Sequence, residues 1–286
     1  MMKNQVVIVT DSTNDLPKEL REQYDIRVVP LTIVWGDHQY LDGVEITAEE
    51  FYTQLGTNPF HPTTSQPTPQ DFLQVYEEAC SVGASAILAI TISGAMSGTI
   101  ESARAAAKGF RIPVHVLDSK ANSMSLGWQL LAAARAREAE ADVEGMKKAS
   151  EAVRNCLHYH IALDTLEYLV KGGRIAGAAK FIGNTLNIKP QIRVNHQSGS
   201  VEAADVSRTR GRAIETLYSS FFKKVDVSRP MHIAVLHNAV YGEAKILADR
   251  IAEEHHPVEL ITGIVSPVLG AHTGPRAIAI CGYSEP

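Results

Sequence analysis

The sequence is poor in aromatic residues, in cysteine and in long apolar runs. Aromatic side chains make up 6% of the 286 residues, and no uncharged apolar run approaches the roughly 18 residues that a membrane span needs. The cysteines Cys80, Cys156 and Cys281 lie far apart and form no CxxC pair, which argues against a disulfide framework and a thiolate zinc site. The first residues contain no signal-peptide core. These absences predict a soluble cytoplasmic protein with reduced thiols.

Acidic residues outnumber basic ones, so the chain as a whole does not attract polyanions. The 32 Asp and Glu against 27 Lys and Arg give a formal net charge of -5 at pH 7. We therefore expect no nucleic-acid partner, and any electrostatic recognition has to be local. The length is about twice that of a typical domain, which leaves room for two packed cores.

Strand-like and helix-like segments alternate along the first half of the chain, as in a parallel sheet covered by helices. Residues 6–10 and 26–34 are predicted as its first two strands. Beyond His158 the segments are shorter, and the turn sequence at 195–200 predicts a hairpin with antiparallel pairing. The sequence thus predicts an α/β protein of two domains. Residues 1–157 form a parallel wound sheet with flanking helices, residues 158–286 form a domain with a mixed sheet, and a ligand cleft lies between them.

Hydroxyl-bearing and small residues follow three predicted parallel strands, where wound sheets bind ligands. These segments begin at Asp11, Ser93 and Asp118. Such residues also cap helices by accepting hydrogen bonds from free N–H groups, but their occurrence at one sheet edge favours a site. In the segment 93–99, glycines allow close backbone approach and the next helix offers N–H groups. Because this segment matches neither a Walker loop, nor GxGxxG, nor GxSxG, it predicts binding of a simple oxyanion rather than a dinucleotide.

The segment 51–70 contains no charged residue, and its second half places hydroxyl groups between prolines. One interpretation is a polar connector in which Thr68 caps the next helix. The other is a site where neutral hydroxyl groups bind a carboxylate in partly dry surroundings. Composition supports both equally.

One stretch of the chain is basic although the whole chain has a negative net charge. No acidic residue occurs between Glu167 and Glu202. The basic residues in and just after this interval are Lys171, Arg174, Lys180, Lys189, Arg193, Arg208, Arg210 and Arg212. This pattern predicts a docking face for an acidic partner, a phosphate group or a membrane surface, and the alternative is a set of scattered solvated cations.

The histidines show no metal-binding pattern. His158 and His160 would share one strand face, but no carboxylate or thiolate at a suitable spacing accompanies them, so we expect no metal. His272 differs because it lies in a loop shaped by glycine and proline directly before the last predicted strand. There it could donate a hydrogen bond to an oxyanion.

Seven short motifs follow one another along the chain. They are Asp11-Ser12-Thr13 with Asp15-Leu16-Pro17, Thr64-Ser65-Gln66-Pro67, Ser97-Gly98-Thr99 with Ser102-Ala103, Asp118-Ser119-Lys120, Asp164-Thr165-Leu166-Glu167-Tyr168-Leu169 with Lys171-Gly172-Gly173-Arg174-Ile175, Ile188-Lys189-Pro190, and His272-Thr273-Gly274-Pro275. In this order and spacing the chain resembles the DegV family over nearly its whole length.

The resemblance implies a two-domain α/β protein that binds a long-chain fatty acid and has no catalytic residue or cofactor of its own. Such proteins act as the acyl-binding subunit of a bacterial fatty acid kinase. A separate ATP-using subunit phosphorylates the carboxylate, which gives acyl phosphate for phospholipid synthesis. By similarity, Thr64, Ser93 and His272 would contact the carboxylate, and the tail would fill an apolar tunnel between the domains.

The resemblance also implies a docking surface for the kinase subunit. Arg174 and Arg210 match basic family positions for this contact, and we add Lys171 as a neighbouring candidate. Among methionines, Met96 and Met124 are candidates for the tunnel lining or for the plain core.

The chain departs from the family pattern at two positions. Gly94 stands where a second serine is common, which removes a possible donor. Arg276 stands where glycine is common, and it is either a charged replacement or an exposed strand end. Together with Ser97, both remain candidate ligand-binding residues.

Two other functions compete with fatty-acid binding. A phosphohydrolase would start from Asp11, although the DxDxT pattern fails because position 13 is threonine. A regulatory interaction module would use the basic stretch alone, without a lipid.

Overall fold

The computed structural model describes residues 5–181 and 188–286 of an α/β protein with three β-sheets. The strands are β1 (Val6–Asp11), β2 (Ile26–Val29), β3 (Thr32–Trp35), β4 (His38–Leu41), β5 (Thr63–Ser65), β6 (Ala86–Thr91), β7 (Val114–Asp118), β8 (His158–Ala162), β9 (Lys189–Asn195), β10 (Ser200–Ser207), β11 (Met231–His237), β12 (Glu259–Ile264) and β13 (Ile278–Ser284). The α-helices are α1 (Lys18–Gln23), α2 (Ala48–Leu55), α3 (Pro69–Ser81), α4 (Thr99–Ala107), α5 (Ser123–Glu138), α6 (Val143–Cys156), α7 (Glu167–Lys171), α8 (Arg210–Phe222), α9 (Tyr241–His255) and α10 (Pro267–Thr273). Short 3-10 helices occupy Ser12–Asn14 and Ala176–Phe181.

The first sheet is entirely parallel, with the strand order β2-β1-β6-β7. Its central strands read as continuous apolar runs because helices cover both faces. Val7 and Val9 pack with α3 and α4, whereas the alternate residue Ile8 packs with Met124 of α5. This sheet confirms the predicted parallel wound arrangement of the first half.

The second sheet is mixed, with the strand order β10-β9-β8-β13-β11-β12. Within the described ranges, its one parallel pair is β11 with β12, and β9 and β10 form the predicted antiparallel hairpin. One face packs on α8 and α9, through residues such as Ile233 and Phe221. The other face, including Tyr159 and Leu236, packs on elements of the first half. The predicted mixed α/β architecture is therefore confirmed.

A third, antiparallel sheet of order β4-β3-β5 was not predicted. The prediction of one strand over 26–34 was wrong, because the chain breaks at Pro30 and Leu31 and continues as β3 in this other sheet. Pro30 has no N–H group and cannot continue the ladder. β5 lies within the uncharged segment and pairs with β3, placing Thr64 opposite Ile33.

The two halves share one continuous core. Trp128 of α5 is fully buried, and its ring centroid lies 6.0 Å from that of Tyr283 on β13. A boundary between residues 157 and 158 falls between α6 and β8. That boundary stays a prediction, since the same apolar cluster contains residues from both sides of it.

All three cysteines lie in the described part of the chain and are free thiols. Within 5–181 and 188–286, no helix is long and apolar enough to span a bilayer. The cytoplasmic location expected from the sequence stays a prediction.

Candidate functional site

The carboxyl ends of β1 and β6 are joined by Asp11. This side chain is fully buried, and its carboxylate accepts hydrogen bonds from the backbone N–H groups of Thr13 at 3.0 Å and Ile92 at 2.7 Å. Burial raises the pKa of Asp11, and these hydrogen bonds oppose the rise. Asp11 therefore cross-links two strand ends and caps the short 3-10 helix that follows β1.

Thr64 and His272 meet at the centre of the candidate site. The Thr64 Oγ1 and His272 Nε2 atoms lie 2.9 Å apart, although 208 residues separate them in the chain. β5 holds Thr64 against β3, and α10 carries His272 in its last turn. The prediction of a loop around His272 was wrong, because Pro267 occupies the first turn of a short helix, a position that suits its missing N–H group.

The surroundings of His272 keep its imidazole neutral at physiological pH. Burial, together with the positive charges of Arg174 and His61, lowers the pKa of His272 to about 4. Its Nδ1 atom is buried and has no hydrogen-bond partner among the described residues. The ring packs on Gly172, where a Cβ atom would lie 2.2 Å from Nδ1. A neutral imidazole here can offer one N–H donor without a buried charge.

An apolar cavity of about 70 Å³ opens beside this pair. Nine of its 16 lining residues are apolar, and the lining comes from both halves of the chain: Thr13, Leu31, Thr64, Ile92, Met96, Ser97, Asn122, Ile161, Leu169, Arg174, Ile192, Val201, Val268, Leu269, His272 and Thr273. A second cavity of about 20 Å³ shares Asn122, Ile161, Leu269 and Thr273 with it and extends toward Leu236. The two cavities are therefore adjacent, and we refer to them together as the apolar path.

The structure brings together some of the predicted ligand-binding residues and leaves others apart. Ser97 lines the cavity with Thr64 and His272. Ser93 is fully buried outside the lining, and its hydroxyl donates to the Gly199 carbonyl at 2.7 Å. Gly94 also lies outside the lining, where its N–H donates to Asp118 at 3.3 Å.

Arg276 points away from the cavity into an ion-pair network. Its guanidinium lies 3.2 Å from Glu243 and 3.9 Å from Asp164. Glu243 also pairs with Arg210 at 2.7 Å, and Asp164 pairs with Lys189 at 2.8 Å. In this structure, therefore, Arg276 joins other charged side chains and not the cavity.

The basic docking candidates differ in how far carboxylates neutralise them. Lys171 pairs with Glu167 at 2.6 Å along α7, and Arg210 is largely covered by its pair with Glu243. Arg174 is exposed, lines the cavity mouth and has no carboxylate partner among the described residues. The side chain of Lys180 lies outside the described part of the structure. Among the described docking candidates, Arg174 is thus the one whose charge no carboxylate neutralises.

Sequence patterns missed most of the cavity wall. Met96 lines it, whereas the other methionine candidate, Met124, is buried in the shared core. Leu269 and Ile161 were not singled out, because an aliphatic residue in a cavity wall has the same local pattern as one in a core. Asn122 could have been noticed as a polar residue directly after the segment at the end of β7.

The profile of the DegV family, whose description is "uncharacterised protein", matches residues 5–285. A DegV domain-containing protein of Streptomyces coelicolor is 35% identical over 281 residues, which cover 98% of both chains. Protein DegV of Bacillus subtilis is 31% identical over 280 residues, which cover 96% of this chain and 98% of that one.

Solved structures have the same fold. A DegV family protein from Thermus thermophilus, described for its fatty acid binding, has a TM-score of 0.91 at 34% identity and covers 98% of this chain and 99% of its own. DegV from Bacillus subtilis, described as a fatty acid binding protein, has a TM-score of 0.89 at 30% identity with coverages of 98% and 99%. The family profile, the related sequences and the solved structures all match nearly the whole length of the chain, and this chain belongs to the DegV family.

Proposed function

We propose that this protein binds a long-chain fatty acid, with its carboxylate at Thr64 and His272 and its tail in the apolar path. The observation that carries the proposal is that this polar pair lines a cavity whose wall is more than half apolar. A fatty acid has the matching form, with one charged end and a long apolar remainder. The related proteins described as binding fatty acids share the fold.

The carboxylate end would meet neutral donors. The Thr64 hydroxyl and the neutral His272 imidazole can both donate a hydrogen bond to a carboxylate. Hydrogen bonds to a charged group contribute about 1.5–3 kcal/mol each. In this structure Thr64 Oγ1 and His272 Nε2 share one hydrogen bond, and a bound carboxylate would replace it.

The tail would follow the two connected cavities and widen them. Burying about 14 methylene groups at ~0.8 kcal/mol each gives ~11 kcal/mol before the cost of ordering the ligand is subtracted. The described cavity of about 70 Å³ holds only a few water molecules. Binding of a long tail therefore requires its walls to separate. Since both halves of the chain supply those walls, we place the ligand cleft between residues 1–157 and 158–286.

We further propose that the bound acid is presented to a separate ATP-dependent kinase subunit, which phosphorylates its carboxylate. Arg174 supports this step because it is exposed, lacks a carboxylate partner among the described residues and lies at the cavity mouth. The position of Asp11 disfavours the phosphohydrolase alternative. A nucleophile must reach its substrate, whereas this carboxylate is fully buried and bonded to backbone N–H groups.

The two parts of the proposal can be tested on one set of proteins. Fatty-acid affinity is measured by calorimetry on delipidated protein, and acyl phosphate formation is measured with ATP and a bacterial fatty acid kinase subunit. Arg174→Ala should lower the rate of acyl phosphate formation about tenfold and leave the fatty-acid Kd within about twofold. Arg229→Ala, an exposed arginine in the turn before β11, serves as the matched control.

The outcomes separate the two parts. If the wild-type protein binds no long-chain fatty acid, the proposed ligand is rejected. If fatty acids bind normally but wild type, Arg174→Ala and Arg229→Ala are phosphorylated at equal rates, Arg174 is rejected as a docking residue.

A further inference from the structure

A third cavity, polar and of about 470 Å³, lies at the start of β8 and the end of β9. Side chains alternate between the two faces of a strand. Ile161 and Ile192 pair with each other across β8 and β9 and line the apolar cavity, whereas the adjacent pair of His160 and Arg193 lines the other one. The end of α6, the β9–β10 hairpin and the residues after α8 complete this polar cavity.

The lining of the polar cavity carries a net positive charge within an acidic protein. Its cations are Arg154, Arg193 and Lys224, and its one carboxylate is Glu202. Arg193 pairs with Glu202 at 2.9 Å. Arg154 donates to the Asp118 carbonyl at 3.2 Å and lies 3.6 Å from Glu151. Lys224 is exposed and forms no ion pair with another described residue.

Three imidazoles, those of His158, His160 and His196, line the same cavity. His160 is only 5% exposed, and its Nδ1 atom has no hydrogen-bond partner among the described residues. The Nε2 atom of His196 is also buried, and no group in the described ranges forms a hydrogen bond with it. A buried polar nitrogen without a partner is rare in folded proteins, so these two rings leave hydrogen-bonding capacity unsatisfied in the wall of the polar cavity.

The imidazoles are neutral at physiological pH. Burial lowers the pKa values of His160 and His196 to about 4, and both the neighbouring His158 and the arginines of the cavity act in the same direction. Neutral rings donate N–H groups to an anion while the charge comes from the lysine and the arginines. No group of three His, Cys, Asp or Glu in the described ranges is arranged to hold a metal ion, so the cluster is better suited to an anion.

We propose that this cavity binds a phosphate group, as the free ion, on a small phosphorylated molecule or on a lipid headgroup. Phosphate oxygens accept several hydrogen bonds at once and match the guanidinium, ammonium and imidazole donors that converge here. The volume falls within the range of about 300–1,000 Å³ that is typical of small-molecule clefts. The proposal does not rest on fatty-acid binding, because none of the residues that line the cavity beside Thr64 and His272 lines this one.

The test uses the full-length protein with three probes. They are inorganic phosphate, glycerol 3-phosphate, and phosphatidylcholine vesicles with or without phosphatidylglycerol. Binding is measured by calorimetry for the soluble probes and by vesicle sedimentation for the lipids, at constant ionic strength. Lys224→Ala should weaken binding about tenfold, the loss expected for one charge-assisted hydrogen bond. Lys223→Ala, an exposed neighbour outside the cavity lining, should leave it unchanged.

Each result supports or overturns the site. Saturable binding of a soluble probe that Lys224→Ala weakens and Lys223→Ala does not supports a soluble ligand. The same contrast with phosphatidylglycerol vesicles alone supports a lipid headgroup. Absence of saturable binding to every probe, or equal weakening by the two substitutions, overturns the proposal. His158→Gln provides a second variant, and unchanged affinity of all probes for it would also contradict the site.

Discussion

At the scale of single residues, the contact between Thr64 and His272 defines the polar end of the proposed fatty-acid site. A hydroxyl and a neutral imidazole, 2.9 Å apart, can stabilise a carboxylate without a buried charge to neutralise first. Both residues lie on short elements fixed by their neighbours, β5 by β3 and α10 by α2 and β3. The polar end is therefore formed before a ligand arrives.

Replacing Thr64 by valine should weaken fatty-acid binding about tenfold or more, because one hydrogen bond to a charged group is lost while the side-chain volume is kept. Titration calorimetry with a saturated long-chain acid measures this change. Thr63→Val is the matched control, since Thr63 is the residue before Thr64 and is exposed on β5. Equal affinities for the two variants would remove Thr64 from the site.

The buried carboxyl group of Asp42 leads to a second prediction at this scale, on how the free energy of unfolding depends on pH. Its side chain is buried, and burial raises its pKa to about 7, with the charges of Asp15 and Asp11 acting in the same direction. A carboxyl with a raised pKa binds its proton more tightly in the folded state. The free energy of unfolding should therefore fall as the pH rises from about 4 through about 7.

Asp42→Asn should reduce this fall by up to about 4 kcal/mol, the equivalent of about three pKa units. Urea unfolding at several pH values provides the measurement. Asp37→Asn, at an exposed position between β3 and β4, should show the wild-type slope. If Asp42→Asn also shows that slope, the carboxyl group of Asp42 does not titrate as proposed.

Sequence reasoning found the polar residues of the site better than their partners. Thr64, Ser97 and His272 all line the cavity, as expected of hydroxyl-bearing and imidazole donors. Ser93 was expected beside them, but its hydroxyl bonds to Gly199 from a hairpin more than a hundred residues away. Such a contact depends on the packing of the two halves, which no local pattern records.

At the scale of secondary-structure elements, the uncharged segment supplies both a helix cap and part of the candidate cavity lining. Thr68 is the N-cap of α3 and forms a capping box with Asp71, as the connector interpretation predicted. Four residues earlier, β5 places Thr64 at the candidate site. Three-residue strands such as β5 have too few residues for an alternating pattern, so pairing with β3 and not local sequence determines this element.

The basic stretch shows a related limit of sequence reasoning. It contains no acidic residue, yet Asp164, Glu202 and Glu243 reach it from neighbouring elements. Charge counted along the chain therefore overestimated the free positive charge in space. Arg174 lacks such a partner among the described residues, which is why the docking prediction is placed on it.

The turn after α7 positions His272, and a substitution in it should disturb fatty-acid binding. A Cβ atom on Gly172 would lie 2.2 Å from His272 Nδ1, so Gly172→Ala must displace the imidazole from Thr64. We expect the affinity for a long-chain acid to fall about tenfold, again by the loss of one hydrogen bond to the carboxylate. Gly211→Ala in α8, where a Cβ atom meets nothing within 4 Å, is the control for calorimetry. Unchanged affinity in Gly172→Ala would show that the ring position does not matter.

At the scale of the whole molecule, one apolar cluster holds the halves together and surrounds the proposed ligand path. Its members include Tyr159 and Leu236, which also line the inner cavity. A ligand in that path would contact both halves and stabilise the folded protein. At about 100 times the Kd, such binding adds ~2.7 kcal/mol, so the Tm of delipidated protein should rise by several degrees. A Tm that does not depend on fatty-acid concentration would contradict binding to the folded state.

The central claim is that a long-chain fatty acid occupies the apolar path, and its most direct test is to identify what the purified protein carries. Protein expressed in bacteria is purified without detergent, denatured, extracted with organic solvent and analysed by mass spectrometry, in parallel with Thr64→Val. Because the tail gives ~11 kcal/mol of gross burial, the acid should survive purification, with near-stoichiometric recovery from the wild type and less from the variant. Wild-type protein that yields no fatty acid, and takes none up afterwards, would contradict the account.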